Sequence, residues 1–319
     1  MNRIGVLTSG EDAPGMNAAI RAVVRSGLYY DIEMVGVKYG FQGLLNESIE
    51  RLDAVSVGSI LQRGGTVLQS YITGEISTED GQNKAIENLK KLEIDALVVV
   101  GGKEALSVTQ SLASRGFPCI GIPATIDNDI PGVEETIGFD TALNTVIDYI
   151  DRIRDTASSH EKTSIIEVAG KDTGNLALYS GIAGGAESIV IPEKKEDVES
   201  ILDQVKSGNG AERRYSIIIV AEGSVAGIDL NAKLKEEAGI ESRVTVLGHT
   251  QRGGSPTARD RVLASRLGAY AVDLLINDEV GKLVGMKNNQ PVYYDLDEVF
   301  SQEFRIDEAM YQLSGRLSL

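Results

Sequence analysis

A chain of 319 residues exceeds the usual size of one domain, so two domains, each with its own core, are expected. Its 42% apolar and 24% charged residues are ordinary for a globular protein. A net charge of −16, with no basic run longer than two residues, argues against nucleic-acid or anionic-membrane partners. An anionic ligand must therefore be met by locally placed arginines or by helix N-termini.

Met1-Asn2-Arg3 runs directly into a strand, which leaves no room for a signal peptide. No apolar run reaches the roughly 18 residues a membrane helix needs, so a cytoplasmic location is expected. Strand candidates fall at 4–8, 34–39, 96–100, 119–122, 164–168, 189–191, 216–220 and 244–247, alternating with helical patterns. That alternation predicts an α/β protein with parallel sheets and helices on both faces. In the first helix Met16, Ala19, Ile20, Val23 and Val24 form an apolar face, with Arg21 and Arg25 one turn apart on the polar side. A second long helix spans about 141–155, with Ala142, Leu143, Val146, Ile147, Ile150 and Ile153 on its apolar face. Cys119, the single cysteine, sits in Phe117-Pro118-Cys119-Ile120-Gly121-Ile122 and reads as a small buried hydrophobe. The polar stretch 206–212 reads as an exposed loop.

In parallel sheets of this kind ligands bind beyond the carboxyl ends of the strands, so the segments that follow each strand carry the chemistry. Four stand out. Thr8-Ser9-Gly10-Glu11-Asp12-Ala13-Pro14-Gly15 is a strand-to-helix turn whose backbone N–H groups suit a phosphate, although Glu11 opposes one. Gly101-Gly102-Lys103-Glu104-Ala105 allows close backbone approach of a ligand but lacks the spacing of a Walker loop, and it reads equally as a tight strand-to-helix turn. Thr125-Ile126-Asp127-Asn128-Asp129 places two carboxylates in a Pro-bounded loop, suited to a general base and a second polar contact or to a solvated turn. Gly248-His249-Thr250-Gln251-Arg252-Gly253-Gly254 combines histidine and arginine for anion recognition, with Arg243 just ahead of the strand that leads into it.

Taken together with Ile153-Arg154-Asp155-Thr156-Ala157 and Gln251-Arg252-Gly253-Gly254-Ser255-Pro256, these segments resemble the bacterial 6-phosphofructokinases over essentially the whole chain. The resemblance implies the phosphofructokinase fold, two Rossmann-like three-layer domains with largely parallel sheets. The nucleotide side is expected at 1–138 plus 251–305, and the sugar-phosphate side at 139–250 plus 306–319. It also implies transfer of the γ-phosphoryl of MgATP to fructose 6-phosphate, a homotetramer, and ADP or phosphoenolpyruvate as effector. By position, Asp127 matches the general base, flanked by Thr125 and Asp129. Lys162, Gly170, Lys171, Glu222, His249 and Arg252 match sugar-phosphate contacts, with Arg243 reaching from a neighbouring subunit. Arg21, Arg25, Arg154, Gly185, Glu187 and Arg213 match the effector site.

The departures concentrate on the donor side. Glu11 replaces a glycine, Ile72 an arginine, Ala124 a glycine, and Lys103-Glu104-Ala105 the metal-associated Asp-Gly-Ser. On the sugar side Lys162 and Lys171 stand for arginines, keeping the charge but not the bidentate fork. A charge-stabilising arginine alone can be worth about 10³–10⁵ in phosphoryl-transfer rate. The expectation is retained sugar-phosphate and effector recognition with MgATP transfer impaired or lost: a pseudoenzyme, or a regulatory subunit assembled with an active paralogue. The competing expectation is an active ATP-dependent enzyme of glycolysis making fructose 1,6-bisphosphate, with Asp129 and phosphate oxygens holding the magnesium.

Overall fold

The computed structural model describes residues 1–71, 73–160, 162–194, 201–202 and 216–317. Two compact units emerge, Met1–Thr141 with Arg252–Phe304, and Ala142–Gln251 with Arg305–Leu319.

In the first unit the strands are β1 (Arg3–Ser9), β2 (Glu33–Val37), β3 (Ile49–Leu52), β4 (Ala96–Gly101), β5 (Cys119–Thr125) and β6 (Ile137–Gly138). In the second unit they are β7 (Thr163–Val168), β8 (Ser188–Val190), β9 (Ile217–Ala221) and β10 (Ser242–Val246); β11 (Lys282–Lys287) and β12 (Gln290–Asp295) return to the first. The larger sheet runs β12-β11-β5-β4-β1-β2-β3, with β6 beside β5. Its inner pairs are parallel, whereas β2–β3 and β11–β12 are antiparallel edges. The smaller sheet, β10-β7-β9-β8, is parallel throughout. The two are the parallel-sheet layers expected of the α/β fold.

Burial explains the strand sequences. Every residue of β4, Ala-Leu-Val-Val-Val-Gly, is buried, as a central strand covered on both faces requires. Helix α1 (Met16–Tyr29) buries its predicted face and crosses the helix Ala258–Ile276 closely. A Cβ on Gly268 would lie 2.9 Å from the Ala19 carbonyl oxygen, so only glycine fits that crossing. In the second unit Ile165, Val190, Ile218, Val220, Leu230 and Leu234 make a separate core. Cys119 is buried in the β5 core, and burial pushes its thiol well above the usual range.

Three details differ from the sequence reading. The second strand stops at Val37, because Tyr39 turns left-handed (φ 62) to begin the short helix α2 (Gly40–Leu45). The β11–β12 hairpin, outside the expected strands, turns on Asn288 and Asn289, both with positive φ. The second long helix, α5 (Phe139–His160), is longer at both ends than expected. The stretch 206–212 lies outside the described residues. Among the described residues no helix is long and apolar enough to cross a membrane.

The first unit continues to Thr141 rather than stopping at 138 because of Asp260. This fully buried carboxylate accepts the Gly138 and Thr141 amides, each at 2.8 Å, and the Thr141 hydroxyl. It thereby satisfies donors at the start of α5 from another helix. Asp140 in turn accepts the Thr257 hydroxyl at 2.6 Å.

Burial pushes the Asp260 carboxyl up from 3.8 to about 6, against the lowering effect of its hydrogen bonds. Between about pH 4 and pH 6 the folded state holds a proton that the unfolded chain has lost. The contribution of this group to stability is therefore full below about pH 4 and is lost as pH rises through about 6. Urea midpoints for wild type and Asp260→Asn should show a stability difference that shrinks from pH 4 to pH 7.

Candidate active site

Registry in the larger sheet decides which loops meet. Ser9 of β1 pairs with Gly101 of β4, and Gly101 pairs with Pro123 of β5. The strands are parallel neighbours, so the segments after their carboxyl ends emerge side by side. These are the Glu11 turn, the Gly102-Lys103 start of α4 (Lys103–Ser114) and the Asp127 loop. A Cβ on Gly102 would stand 3.5 Å from the Thr125 Cβ, so the start of α4 borders the aspartate loop directly.

The aspartate loop is braced from within. The Asp127 amide donates to Thr125 Oγ1 at 3.2 Å, and Thr136 Oγ1 donates to the Thr125 carbonyl at 2.7 Å. Buried Asn128, left-handed at φ 50, accepts the Thr136 amide at 2.8 Å and donates to the Glu134 carbonyl at 3.3 Å. These bonds hold Asp127 and Asp129, both half-buried, in one backbone geometry. Asn128 and Thr136 were not singled out in the sequence; Asn128 lay inside the motif, and Thr136 gave no local signal.

Two helix starts at this edge suit an anionic ligand. Helices α1 and α4 both start from glycines, Gly15 and Gly102, with no side-chain cap. Their first-turn N–H groups are thus suited to anionic oxygens. Lys103 and Glu104 are exposed on the first turn of α4, while Ala105 is buried and offers no polar atom. A magnesium ion carried on donor phosphates would find the Asp129 carboxylate on this loop. Among the described residues no cluster of three or more His, Cys, Asp or Glu side chains gathers, so such an ion would lean on phosphate oxygens. Glu11, on its turn after β1, forms an ion pair with Arg252. Ile72 lies outside the described residues.

The second unit builds its own edge in the same way. Val168 of β7 pairs with Ala221 of β9, and Val246 of β10 pairs with Glu167. Gly170 and Lys171, Glu222, and His249 therefore follow adjacent parallel strands. Gly170 adopts φ 138, and its carbonyl accepts the Gly223 amide at 3.0 Å. Gln251, missed in the sequence as a structural residue, accepts the Ala169 amide at 3.0 Å and donates to the Gly248 carbonyl at 2.9 Å. Those bonds place Gln251 in the second unit, although the domain boundary was expected before it. Lys171, Glu222 and His249 are all exposed at this edge.

Lys162 and Arg243 are not brought to that edge. Lys162 precedes β7 and pairs with Glu241 at 3.2 Å, and Arg243 is in register with Ser164 at the amino end of the sheet. The length of β7 separates them from Gly170 by roughly 17 Å. Among the effector candidates, Arg21 and Arg25 lie on α1 in the first unit. Arg154 belongs to the second, donates to the Gly184 and Gly185 carbonyls at 2.6 and 2.7 Å, and approaches Glu187 at 3.8 Å. Arg213 lies outside the described residues.

Residues 3–275 match the family model described as Phosphofructokinase. The chain is 56% identical to a protein of Oceanobacillus iheyensis named ATP-dependent 6-phosphofructokinase, with all of both chains covered. It is 54% identical to a Bacillus subtilis protein of the same name, again over the full length of both. Among solved structures it is similar to Pichia pastoris phosphofructokinase in the T-state, at TM-score 0.89 and 31% identity. That match covers 99% of this chain and 36% of the longer Pichia chain.

Packing at the second edge is directly testable. A Cβ on Gly223 would lie 1.8 Å from the Lys171 carbonyl oxygen, whereas one on Gly253 meets nothing within 4 Å. Gly223→Ala should lower unfolding stability by roughly 1–3 kcal/mol in urea titration. Gly253→Ala should leave it within about 0.5 kcal/mol of wild type.

Proposed function

The chain belongs to the phosphofructokinase family, and on that premise we propose that it phosphorylates fructose 6-phosphate from MgATP. The observation that carries this reading is the aspartate loop, intact in sequence and braced by Asn128 and Thr136. Asp127 acts as the general base. It takes the proton of the sugar 1-hydroxyl as that oxygen attacks the γ-phosphorus, and ADP departs with the broken P–O bond. Thr125 and Asp129 hold the acceptor beside it. The starts of α1 and α4 receive the donor phosphates, and a magnesium ion held by those phosphates and Asp129 would supply the neutralising charge.

Gly170, Lys171, Glu222, His249 and Arg252 hold the sugar phosphate. Lys162 and Arg243 join them from a second copy of the chain, because within one chain they lie at the far end of β7. Arg21, Arg25, Arg154, Gly185, Glu187 and Arg213 serve an anionic effector such as ADP or phosphoenolpyruvate. The family's homotetramer accommodates both arrangements.

A second reading is favoured by the donor residues. Lys103 and Glu104 stand exposed on the first turn of α4, and Glu11 puts a carboxylate at the turn before α1. On this reading the chain binds the sugar and effector without turnover and acts as a regulatory subunit beside an active paralogue. Neither the family model nor the named relatives point to such a loss, so it stands second.

Separate calorimetric titrations with fructose 6-phosphate and MgATP, followed by a coupled turnover assay, decide between the two. The first reading expects magnesium-dependent formation of fructose 1,6-bisphosphate that falls about 10²–10⁴-fold in Asp127→Asn. Sugar binding with no turnover from MgATP would replace it with the second.

A further inference from the structure

We infer that Glu11 is an internal anion that occupies Arg252 and competes with the ligand phosphate for it, setting the affinity for sugar phosphate. The inference rests on the reading of Arg252 as a sugar-phosphate contact. The Arg252 side chain is only 17% exposed while that of Glu11 is 70% exposed. A guanidinium so far removed from water calls for an anionic partner, and here an exposed, displaceable carboxylate supplies it.

Both backbones that present the pair are fixed independently of it. On the Glu11 side, Gly10 adopts φ 86 and its carbonyl accepts the Ser70 hydroxyl at 2.6 Å. On the Arg252 side, the Gly254 carbonyl lies 2.2 Å from where a Cβ on Gly64 would be, so the loop is seated against bare backbone. The segment containing Gly64 is in turn tied to α1, since Asn17 Nδ2 donates to the Arg63 and Gly64 carbonyls at 3.0 and 3.1 Å. Neither loop must reorganise for the pair to form, so little entropy opposes it.

A carboxylate and a phosphate engage the same planar fork of donors. Phosphate can take Arg252 only in the fraction of molecules in which Glu11 has left, and the apparent affinity falls by that fraction. A dianionic phosphate with further contacts displaces the carboxylate more readily than a singly charged anion does. The pair thus favours phosphorylated ligands over weaker anions.

Isothermal titration with fructose 6-phosphate, using wild type, Glu11→Gln, Glu11→Asp and a control Glu87→Gln, tests this. Glu87 is exposed on helix α3 (Glu79–Lys91) and removes the same charge elsewhere in the first unit. Glu11→Gln should bind the sugar phosphate about three- to tenfold more tightly, from the worth of such an ion pair. Glu11→Asp, one methylene shorter, should fall between, and Glu87→Gln should match wild type. Equal affinity in wild type and Glu11→Gln, or equal tightening in Glu87→Gln, overturns the inference and leaves the proposed function standing. Absence of binding in wild type and in every variant overturns the sugar-phosphate reading and the inference with it. Binding by Glu11→Gln alone supports both.

Discussion

The parallel register of β1, β4 and β5 is the constraint on which the first unit's chemistry depends. Ser9, Gly101 and Pro123 lie on one line across three neighbouring strands. Three loops distant in sequence therefore start side by side, about 5 Å from one strand to the next. Parallel strands also need covered faces, which is why β4 is apolar throughout and why α1 and the helix Ala258–Ile276 must pack tightly. The second unit repeats the device with β7, β9 and β10, and its glycines allow backbone approaches that a Cβ would block.

On this scaffold the charged residues divide into a braced aspartate loop and the exposed charges of the neighbouring turns. Hydrogen bonds from Asn128 and Thr136 fix the position of Asp127 before any ligand arrives. Around it the electrostatics differ. Lys103 adds a positive charge that is strongly hydrated where it stands exposed, and Glu11 adds a negative one that is drawn to Arg252.

The alternation of apolar runs with helical periods located the inner strands except β11 and the two-residue β6 to within a few residues, since buried parallel strands leave a continuous apolar signature. The motif after β5 was legible because turn chemistry, proline boundaries and paired carboxylates coincide in a few residues. Edge features were less legible. β3 has one buried position among four residues, and β12 has none, so neither shows the apolar run of an inner strand.

What the sequence determined by itself is the set of chemical groups and their order: the aspartate pair, the glycine turns, the histidine and arginine after β10, and the altered donor residues. Tertiary structure decided which of them meet. Asp260 joins the starts of two helices about 120 positions apart, and no local pattern marks a residue whose partners arrive only when α5 docks. Thr136 braces Thr125 and Gln251 braces Ala169 for the same reason. The pairing of Glu11 with Arg252, separated by most of the chain, was likewise invisible in sequence. An ion pair is set by distance in space, and that distance exists only after the sheet has aligned its loops.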